Sequence, residues 1–498
     1  MVVADQMHAD WMGQLGKVPV ETPHLDRFAK TSTRFNRAYT QNSICTPSRV
    51  SILSGQYPHN HGYYGLIGPA RPELNNLFRQ FRSAGYRTAA YGKLHLPMDP
   101  ESWVLQDLDE FGDTYEDGHG TMGRSEYLSD LEANGVRDLE DSWHNTNAYG
   151  EASIPIDAMP SKMPYEHTME MWSARKAMRF MENSPDQPFL VQVNFQKPHH
   201  PLLPQKQFWD RYEGVDTMPP GWDLPPDGRP PHFRRRWEAW RHETRYDFAR
   251  TGENFGDAVR RGWRGTLACV TQIDDVFGRL LDFLDSHNLA ENTIVVFCSD
   301  HGAYHGMFGM MEKSPGICSD AVCRVPLLVR VPQLRDPMPE SDALVESIDL
   351  APTLCALADV PPMPEADGKD ITPLFRGEGG IREEAVTENA LSKSIRWEQW
   401  RYVHYPKAMF EGEDIGELYN IEDDPLEMRN LYPHPDFKAV VEESRNRLLD
   451  WSVRTTRTLT LHRPRENWPT AAEGMVSDRR APAPLQVAND PTAIQEYL

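Results

Sequence analysis

The chain has 498 residues, 39% hydrophobic and 25% charged, enough for one large core plus an appended subdomain, since single cores stop growing beyond about 250–300 residues. Lys and Arg total 52 against 74 Asp and Glu, a formal charge of −22, which argues against nucleic acid or anionic lipid as partners but leaves room for a local basic pocket holding one small anion. No run reaches the roughly 20 apolar residues of a membrane span, and no secretory signal is visible.

Val2, Val3 and Ala4 read as the tail of a buried strand with almost nothing before it, so the start is expected to lack residues or to begin at a misplaced codon. Short apolar runs then alternate with helical patterns, the signature of an α/β domain with a largely parallel sheet. The expected strands are Met1–Ala4, Thr88–Tyr91, Phe189–Phe195, Thr293–Cys298 and Val325–Val331. The expected helices are Thr22–Thr31, Ser48–Ser54, Leu74–Ala84, His167–Glu182, Gly265–Asp285 and Asp349–Leu357. The longest carries Leu267, Val270, Ile273, Val276, Phe277, Leu280 and Leu281 at helical spacing. Residues 100–165, acidic and Gly-containing, and 202–262, rich in Pro, Trp and Arg, break the rhythm and read as insertions that build the walls of a site.

After about residue 375 the pattern turns to short strands (Ser394–Trp397, Trp400–His404, Glu417–Asn420) and a helix from Pro435 to Trp451. The fold class is therefore α/β, a large mixed, mostly parallel sheet sandwiched by helices, with a smaller α+β C-terminal subdomain. Its expected divisions are 1–375, 376–457 and an extended Pro-rich tail over 458–498. Such a tail is either mobile or pinned to a neighbouring subunit, which makes a homo-oligomer the expectation.

Of the six cysteines, Cys269, Cys298 and Cys355 lie in apolar runs and read as buried core thiols. Cys318 and Cys323 have neither a CxxC spacing nor nearby histidines, which argues against zinc. The absence of a disulfide framework favours a reducing compartment, and cytoplasmic is the expectation.

Four strands end in chemistry-bearing residues: Asp5-Gln6, Lys93 and His95, Lys197 with His199-His200, and Asp300-His301. In open α/β sheets the functional crevice lies outside the carboxyl ends of parallel strands. Asp5 and Asp300 with an amide or imidazole are oxygen-biased ligands suited to Ca²⁺, Mg²⁺ or Mn²⁺ more than to zinc. Asp300-His301 alone reads equally well as a turn cap; beside Asp5-Gln6 the metal reading is the better one. Cys45-Thr46-Pro47-Ser48-Arg49 opens a short helix, with Thr46 as N-cap, Pro47 at the first position and Gly55 to close it. A helix start favours an anion, and Arg49 lies one turn away.

Cys45-Thr46-Pro47-Ser48-Arg49, continued by Leu53-Ser54-Gly55, resembles the C-x-P-S-R signature of the type I, formylglycine-dependent sulfatases of the alkaline phosphatase superfamily. Thr22-Pro23-His24-Leu25-Asp26-Arg27 resembles that family's T-P-N-L-D-R stretch, Gly92-Lys93-Leu94-His95 its G-K-x-H, Lys197-Pro198-His199-His200-Pro201 its substrate-histidine motif, and Ser299-Asp300-His301-Gly302 its second metal motif. Lys313, 13 residues after Asp300, stands where the family carries a lysine, and Gly416-Glu417-Leu418-Tyr419-Asn420 leading to Asp424-Pro425 resembles its C-terminal E-L-Y-D…D-P.

The resemblance implies an alkaline-phosphatase-like sheet and hydrolysis of a sulfate ester. It implies that Cys45 is converted to formylglycine by a formylglycine-generating enzyme, the C-x-P-x-R core being intact. One divalent cation, Ca²⁺ with Mn²⁺ or Mg²⁺ as alternatives, is then held by Asp5, Gln6, Asp300, His301 and the oxygen at residue 45. Arg49 orients the hydrated aldehyde, Lys93 and Lys313 neutralise the transferring group, His199 and Lys313 protonate the leaving alcohol, and His95 takes the last proton. Gln6 departs from the usual second Asp and resembles the phosphonate monoester hydrolase and choline sulfatase branches, so phosphonate monoester or phosphodiester hydrolysis is the alternative. Lys93 and His95 match the sulfatase pattern instead. The aromatic and basic run Pro231–Arg241 reads either as a surface for a sulfated saccharide or as a solvated helix with its Trp packed inward, which leaves carbohydrate, aryl and alkyl sulfates open.

Overall fold

The structure, a computed structural model, describes residues 1–66, 73–97, 103–114, 126–140, 158–242, 253–311, 313, 317–334 and 338–457. The tail over 458–498, and with it the self-association expected there, lies outside the described residues.

The strands of the main sheet are β1 (Val2–Asp5), β2 (Thr33–Tyr39), β3 (Arg87–Gly92), β4 (Glu110–Asp113), β5 (Phe189–Pro198), β6 (Val295–Ser299), β7 (Leu327–Arg330) and β8 (Glu340–Glu346). They lie in the order β4-β3-β5-β1-β6-β7-β2-β8. The run β4, β3, β5, β1, β6 is parallel throughout. The expected strand around Val325–Val331 exists as β7 but is antiparallel to both β6 and β2, so it does not contribute its end to the edge where the others finish.

Side chains alternate between two cores, as the pleat requires. Val2, Ala4, Val193, Phe195, Val295 and Phe297 face one side. There they meet α1 (Pro23–Ala29), α4 (Met169–Glu182) and α6 (Phe255–Ser286). Val3, Ala90, Val296, Cys298 and Val345 face the other, packed on α2 (Cys45–Ser54), α3 (Leu77–Ser83) and α7 (Leu350–Leu357). The T-P-H-L-D-R stretch serves the first core: Asp274 of α6 accepts from His24 N at 3.1 Å and Leu25 N at 2.7 Å, fixing the start of α1.

α6 begins ten residues before its expected start. Asn254 caps it by accepting from Asp257 N at 2.9 Å, and its first turns carry Arg260, Arg261 and Arg264, whose charges mask the periodicity. β2 and β8 are likewise obscured, because Arg34 pairs with Glu340 and Asn36 donates to Asp342 at 2.9 Å across the edge. Polar cross-strand partners make such strands read as loops.

A second sheet, ordered β12-β11-β10-β9 and antiparallel, contains β9 (Glu384–Asn389), β10 (Ser392–Trp397), β11 (Trp400–His404) and β12 (Gly416–Asn420). One of its faces carries Val386, Ile395, Tyr402 and Leu418 against Val441, Leu448 and Trp451 of α8 (Lys438–Thr455). Its other face packs on Tyr39, Cys318, Cys323 and Leu344 of the larger sheet's region. All six cysteines are buried thiols outside any disulfide. Among the described residues no helix is long and apolar enough to cross a membrane.

Candidate active site

Because β3, β5, β1 and β6 are parallel neighbours, their carboxyl ends meet. β1 ends in Asp5, β3 runs into Lys93 and His95, β5 into His199, and β6 into Asp300 and His301. Two glycines let these ends close up. A Cβ at Gly92, whose φ is +97°, would lie 1.9 Å from Asn194 O, and one at Gly302 would lie 2.2 Å from Ala321 O.

Cys45 enters this edge from below as the first residue of α2. Its helix starts one residue ahead of the expected N-cap Thr46: Ile44 occupies the cap position without a side-chain bond, Ser48 N donates to Ile44 O at 3.1 Å, and Thr46 Oγ1 turns to Leu66 O at 3.4 Å. Gly55 closes the helix in the left-handed conformation, as expected. The Cys45 thiol, 1% exposed, sits 3.7 Å from Asp5 Oδ1 and 3.2 Å from His301 Nε2. Ligand atoms of Asp5, Cys45, Asp300 and His301 all lie within 4.8 Å of one another.

Arg49 ties the cluster together. It donates from Nε to Asp300 Oδ2 at 2.9 Å and from Nη2 to Asp5 Oδ2 at 3.3 Å. Its Nη1 donates to Lys93 O at 2.6 Å and Asn194 Oδ1 at 3.1 Å. Lys93 Nζ lies 2.6 Å from Asp5 Oδ2, and Lys313 Nζ donates to Gln6 Oε1. Gln6 adopts a φ of +65° and its N–H donates to Asp300 Oδ1 at 3.2 Å. Ser48 Oγ donates to Asp300 O at 2.5 Å.

The electrostatics follow from burial and these neighbours. Burial works against ionisation of Asp5, yet the charge of Lys93, joined by Arg49 and Lys313, holds it well below the usual carboxylate range. Asp300 is pushed up by burial and by the Asp5 charge. Burial and Asp5 oppose ionisation of Cys45, but Lys313, Lys93 and His301 bring the thiol down to about 6. His95 and His199 are held well below the ordinary imidazole range by burial and then by Lys93, so both rings are neutral. His301 is raised, because Asp300 and Cys45 outweigh its burial.

Tautomers can be read from carbonyl contacts. His301 Nδ1 lies 2.7 Å from Gly302 O and so carries the proton, which turns Nε2 with its lone pair toward the carboxylates. That is the arrangement of a metal-ligating imidazole held by its second nitrogen. Two carboxylates, one imidazole and the adjacent Gln6 amide fit a hard divalent cation. His199 Nδ1 lies 2.6 Å from His200 O; its proton is likewise spoken for, and Nε2 of the neutral ring is an acceptor.

Every site residue singled out from the sequence is found at this edge. The aromatic and basic run is not among them. Pro231–His242 is a helix, α5, with His232 and Phe233 buried, Trp237 and Trp240 half-buried against the core, and Arg234 and Arg235 exposed. Arg241 stacks on Trp237 and donates to Trp222 O at 3.0 Å. The solvated-helix reading is the one observed. Pattern reasoning misses Asn194, which accepts from Arg49 out of the middle of a buried strand. It also misses Glu170 of α4, which accepts from Lys197 N at 3.1 Å and Lys197 Nζ at 3.2 Å and so braces the loop carrying His199.

A family model described as "Sulfatase" matches residues 1–360, and one described as "N-sulphoglucosamine sulphohydrolase, C-terminal" matches residues 306–454. The choline-sulfatase of Rhizobium meliloti is 28% identical over 430 residues, covering 84% of this chain and 78% of its own. The solved phosphonate monoester hydrolase from Silicibacter pomeroyi aligns with a TM-score of 0.77 at 21% identity, covering 92% of this chain and 96% of that one. A structure in complex with its substrate D-glucosamine-2-N,6-O-disulfate aligns with a TM-score of 0.71 at 20% identity, covering 91% and 97%. The expected alkaline-phosphatase-like architecture is the one observed.

Proposed function

The chain belongs to the sulfatase family, and we propose that it hydrolyses a sulfate ester, with a sulfated saccharide as the substrate class, to alcohol and inorganic sulfate. One observation carries the reading: the thiol of Cys45 is enclosed among Asp5, Asp300 and His301 at a helix start, with Arg49, Lys93 and Lys313 supplying the positive charge. Converted to formylglycine by its generating enzyme, residue 45 supplies a hydrated aldehyde as a self-regenerating nucleophile, and a divalent cation held by Asp5, Gln6, Asp300 and His301 supplies polarisation of a sulfate oxygen.

The remaining work falls to the chain's own side chains. Arg49, locked by four hydrogen bonds, fixes the orientation of residue 45 against Asp5 and Asp300. Lys93 and Lys313 neutralise the charge that develops on the transferring group. Lys313 is the better donor to the departing alcohol, since the neutral His199 has its one proton committed to His200 O. His199 gains a proton at Nε2 only as the negative substrate arrives and raises its basicity. His95, neutral in the resting site, takes up the proton released at residue 45 when sulfate departs.

Likeness to the phosphonate monoester hydrolase, together with Gln6, favours a second reading in which the substrate is a phosphonate monoester or phosphodiester. Turnover of an aryl sulfate against its matched aryl phosphonate monoester decides between them, and preference for the phosphonate overturns the sulfate reading. A panel of sulfated mono- and disaccharides, aryl sulfates and choline sulfate tests the substrate class. Mass spectrometry of the peptide spanning Cys45 tests the conversion; an unmodified thiol in protein made alongside the maturation enzyme would contradict it.

A further inference from the structure

Residues 40–44, which deliver Cys45 to the start of α2, are buried from end to end. They belong to no strand or helix, so their backbone groups need partners from elsewhere. Thr40 N donates to Cys323 O at 2.9 Å, and several further partners come from the last residues of β9, in the C-terminal sheet. Thr387 Oγ1 donates to Thr40 O at 2.6 Å, Glu388 N to Gln41 O at 2.7 Å, and Asn42 Nδ2 to Glu388 O at 2.6 Å. Asn42 Oδ1 in turn accepts from Ile44 N at 2.8 Å.

Asn389 completes the set with a side chain. Its Oδ1 accepts from Ser43 Oγ at 2.9 Å and from Ser43 N at 3.3 Å. With that oxygen facing two donors, Nδ2 must face an acceptor, and it lies 3.2 Å from Cys318 Sγ. The sulfur is itself held by Ser392 Oγ at 3.4 Å and by the Cys323 thiol. The amide is thus gripped on both sides and cannot turn over without leaving buried polar groups unpaired. Among the described residues Asn389 bonds to neither the carboxylates nor the histidines of the site; it links to the site through Ser43, two residues before Cys45.

We propose that Asn389 is a positioning residue for the nucleophile: through Ser43 it sets where residue 45 stands against Asp5, Asp300 and His301, and so makes the C-terminal sheet part of the catalytic apparatus. Misplacing a reacting atom by about 1 Å can cost roughly a hundredfold in rate. The loss therefore falls on kcat, while KM, set by groups that touch substrate, stays. The kinetic form of this inference rests on the sulfatase reading; its geometric form does not, and the two are tested separately.

The kinetic test uses the full-length matured enzyme and an aryl sulfate, with kcat expressed per converted residue 45. Asn389→Ala is expected to lower kcat at least about tenfold with KM within about threefold, and Ser43→Ala to have a smaller effect of the same kind. The double variant is expected to be no worse than Asn389→Ala, because the bond that Ser43→Ala removes, Ser43 Oγ to Asn389 Oδ1, is already lost in Asn389→Ala. The geometric test uses unconverted protein and iodoacetamide, following alkylation of the Cys45 peptide by mass spectrometry under native conditions. Asn389→Ala is expected to speed alkylation of this enclosed thiol at least about tenfold, by loosening the segment that encloses it. Should Asn389→Ala not fold, Ser43→Ala carries both tests, since it leaves the C-terminal sheet intact. A kcat within twofold of wild type, single losses that multiply in the double variant, or alkylation as slow as wild type would each overturn the proposal. A wild-type enzyme inactive on sulfate esters would count against the sulfatase reading instead, with the alkylation rates still deciding this one.

Discussion

Replacing Lys93 by Met separates charge from bulk at the centre of the site. Lys93 and Asp5 are both fully buried and 2.6 Å apart, and Met keeps most of the stem while removing the ammonium. Asp5 is then left with Arg49 Nη2, at 3.3 Å, as its guanidinium partner. Breaking one side of a buried pair costs about 3–5 kcal/mol. Unfolding entropy of roughly 2 cal/mol/K per residue amounts to about 1 kcal/mol/K for a chain of this length, so Tm should fall by only about 3–5 °C. Activity should fall much further, by roughly 10²–10³ in kcat, because a preorganised cation facing the developing charge is lost. Arg382→Met is the stability comparison: Arg382 pairs with buried Glu346 and Asp349, and its loss should lower Tm comparably. Differential scanning calorimetry and aryl sulfate turnover measure the two quantities. If Lys93→Met keeps more than about a third of wild-type kcat, the ammonium does not act on the reacting group and the reasoning fails.

Three further outcomes are expected. Lys313→Ala should slow alkyl sulfates on the order of a hundredfold but nitrophenyl sulfates less than about tenfold, since only a poor leaving group needs the proton; equal losses across leaving groups would remove Lys313 from that role. Gly92→Ala forces a Cβ to 1.9 Å from Asn194 O at a φ of +97° and should destabilise by about 3 kcal/mol or more, so a soluble variant melting like wild type would contradict the close approach of β3 and β5. His232 is held down to about 3 by burial and then by Arg235 and Arg236. Because the unfolded ring binds its proton below about 6.5, this contribution to stability is complete above that pH and fades as pH falls toward 3, by about 3 kcal/mol at pH 4.5. His232→Phe should therefore flatten the acid limb of Tm against pH between about 6.5 and 4, and an unchanged limb would show that the ring is not kept neutral.

The four strand ends are legible in the sequence because β1, β3, β5 and β6 are buried on both faces and read as continuous apolar runs, each stopping at a polar residue that has nowhere to go but the crevice. Cys45 and Arg49 are legible by motif, and the helix they open supplies the physical reason for it. β2 and the edge strand β8 are another matter. Arg34, Asn36 and Arg37 of β2 point to partners on or beyond β8, and such pairing is invisible until the two segments, some 300 residues apart, are brought together. Asn389 illustrates the same limit just behind the site. Its neighbours along β9 show only a short polar run, and its importance lies in what stands across from it in space. The run Pro231–Arg241 reads two ways in the sequence, and the structure shows a helix with Trp237 and Trp240 packed half-buried against the core.

β1 has a consequence for how the chain folds. It is made from the first residues of the sequence yet lies between β5 and β6, with Val2 opposite both Val193 and Phe297. Its seat is complete only after β6, some 290 residues further on, has been synthesised, so β1 leaves the ribosome long before it can dock. Contacts of such separation slow folding, since the loop they close must be ordered before the pairing repays it. Asp5 is the last residue of that strand. The cluster around residue 45 therefore cannot form in any N-terminal fragment that stops short of β6, and its assembly marks the closing of the sheet rather than its beginning.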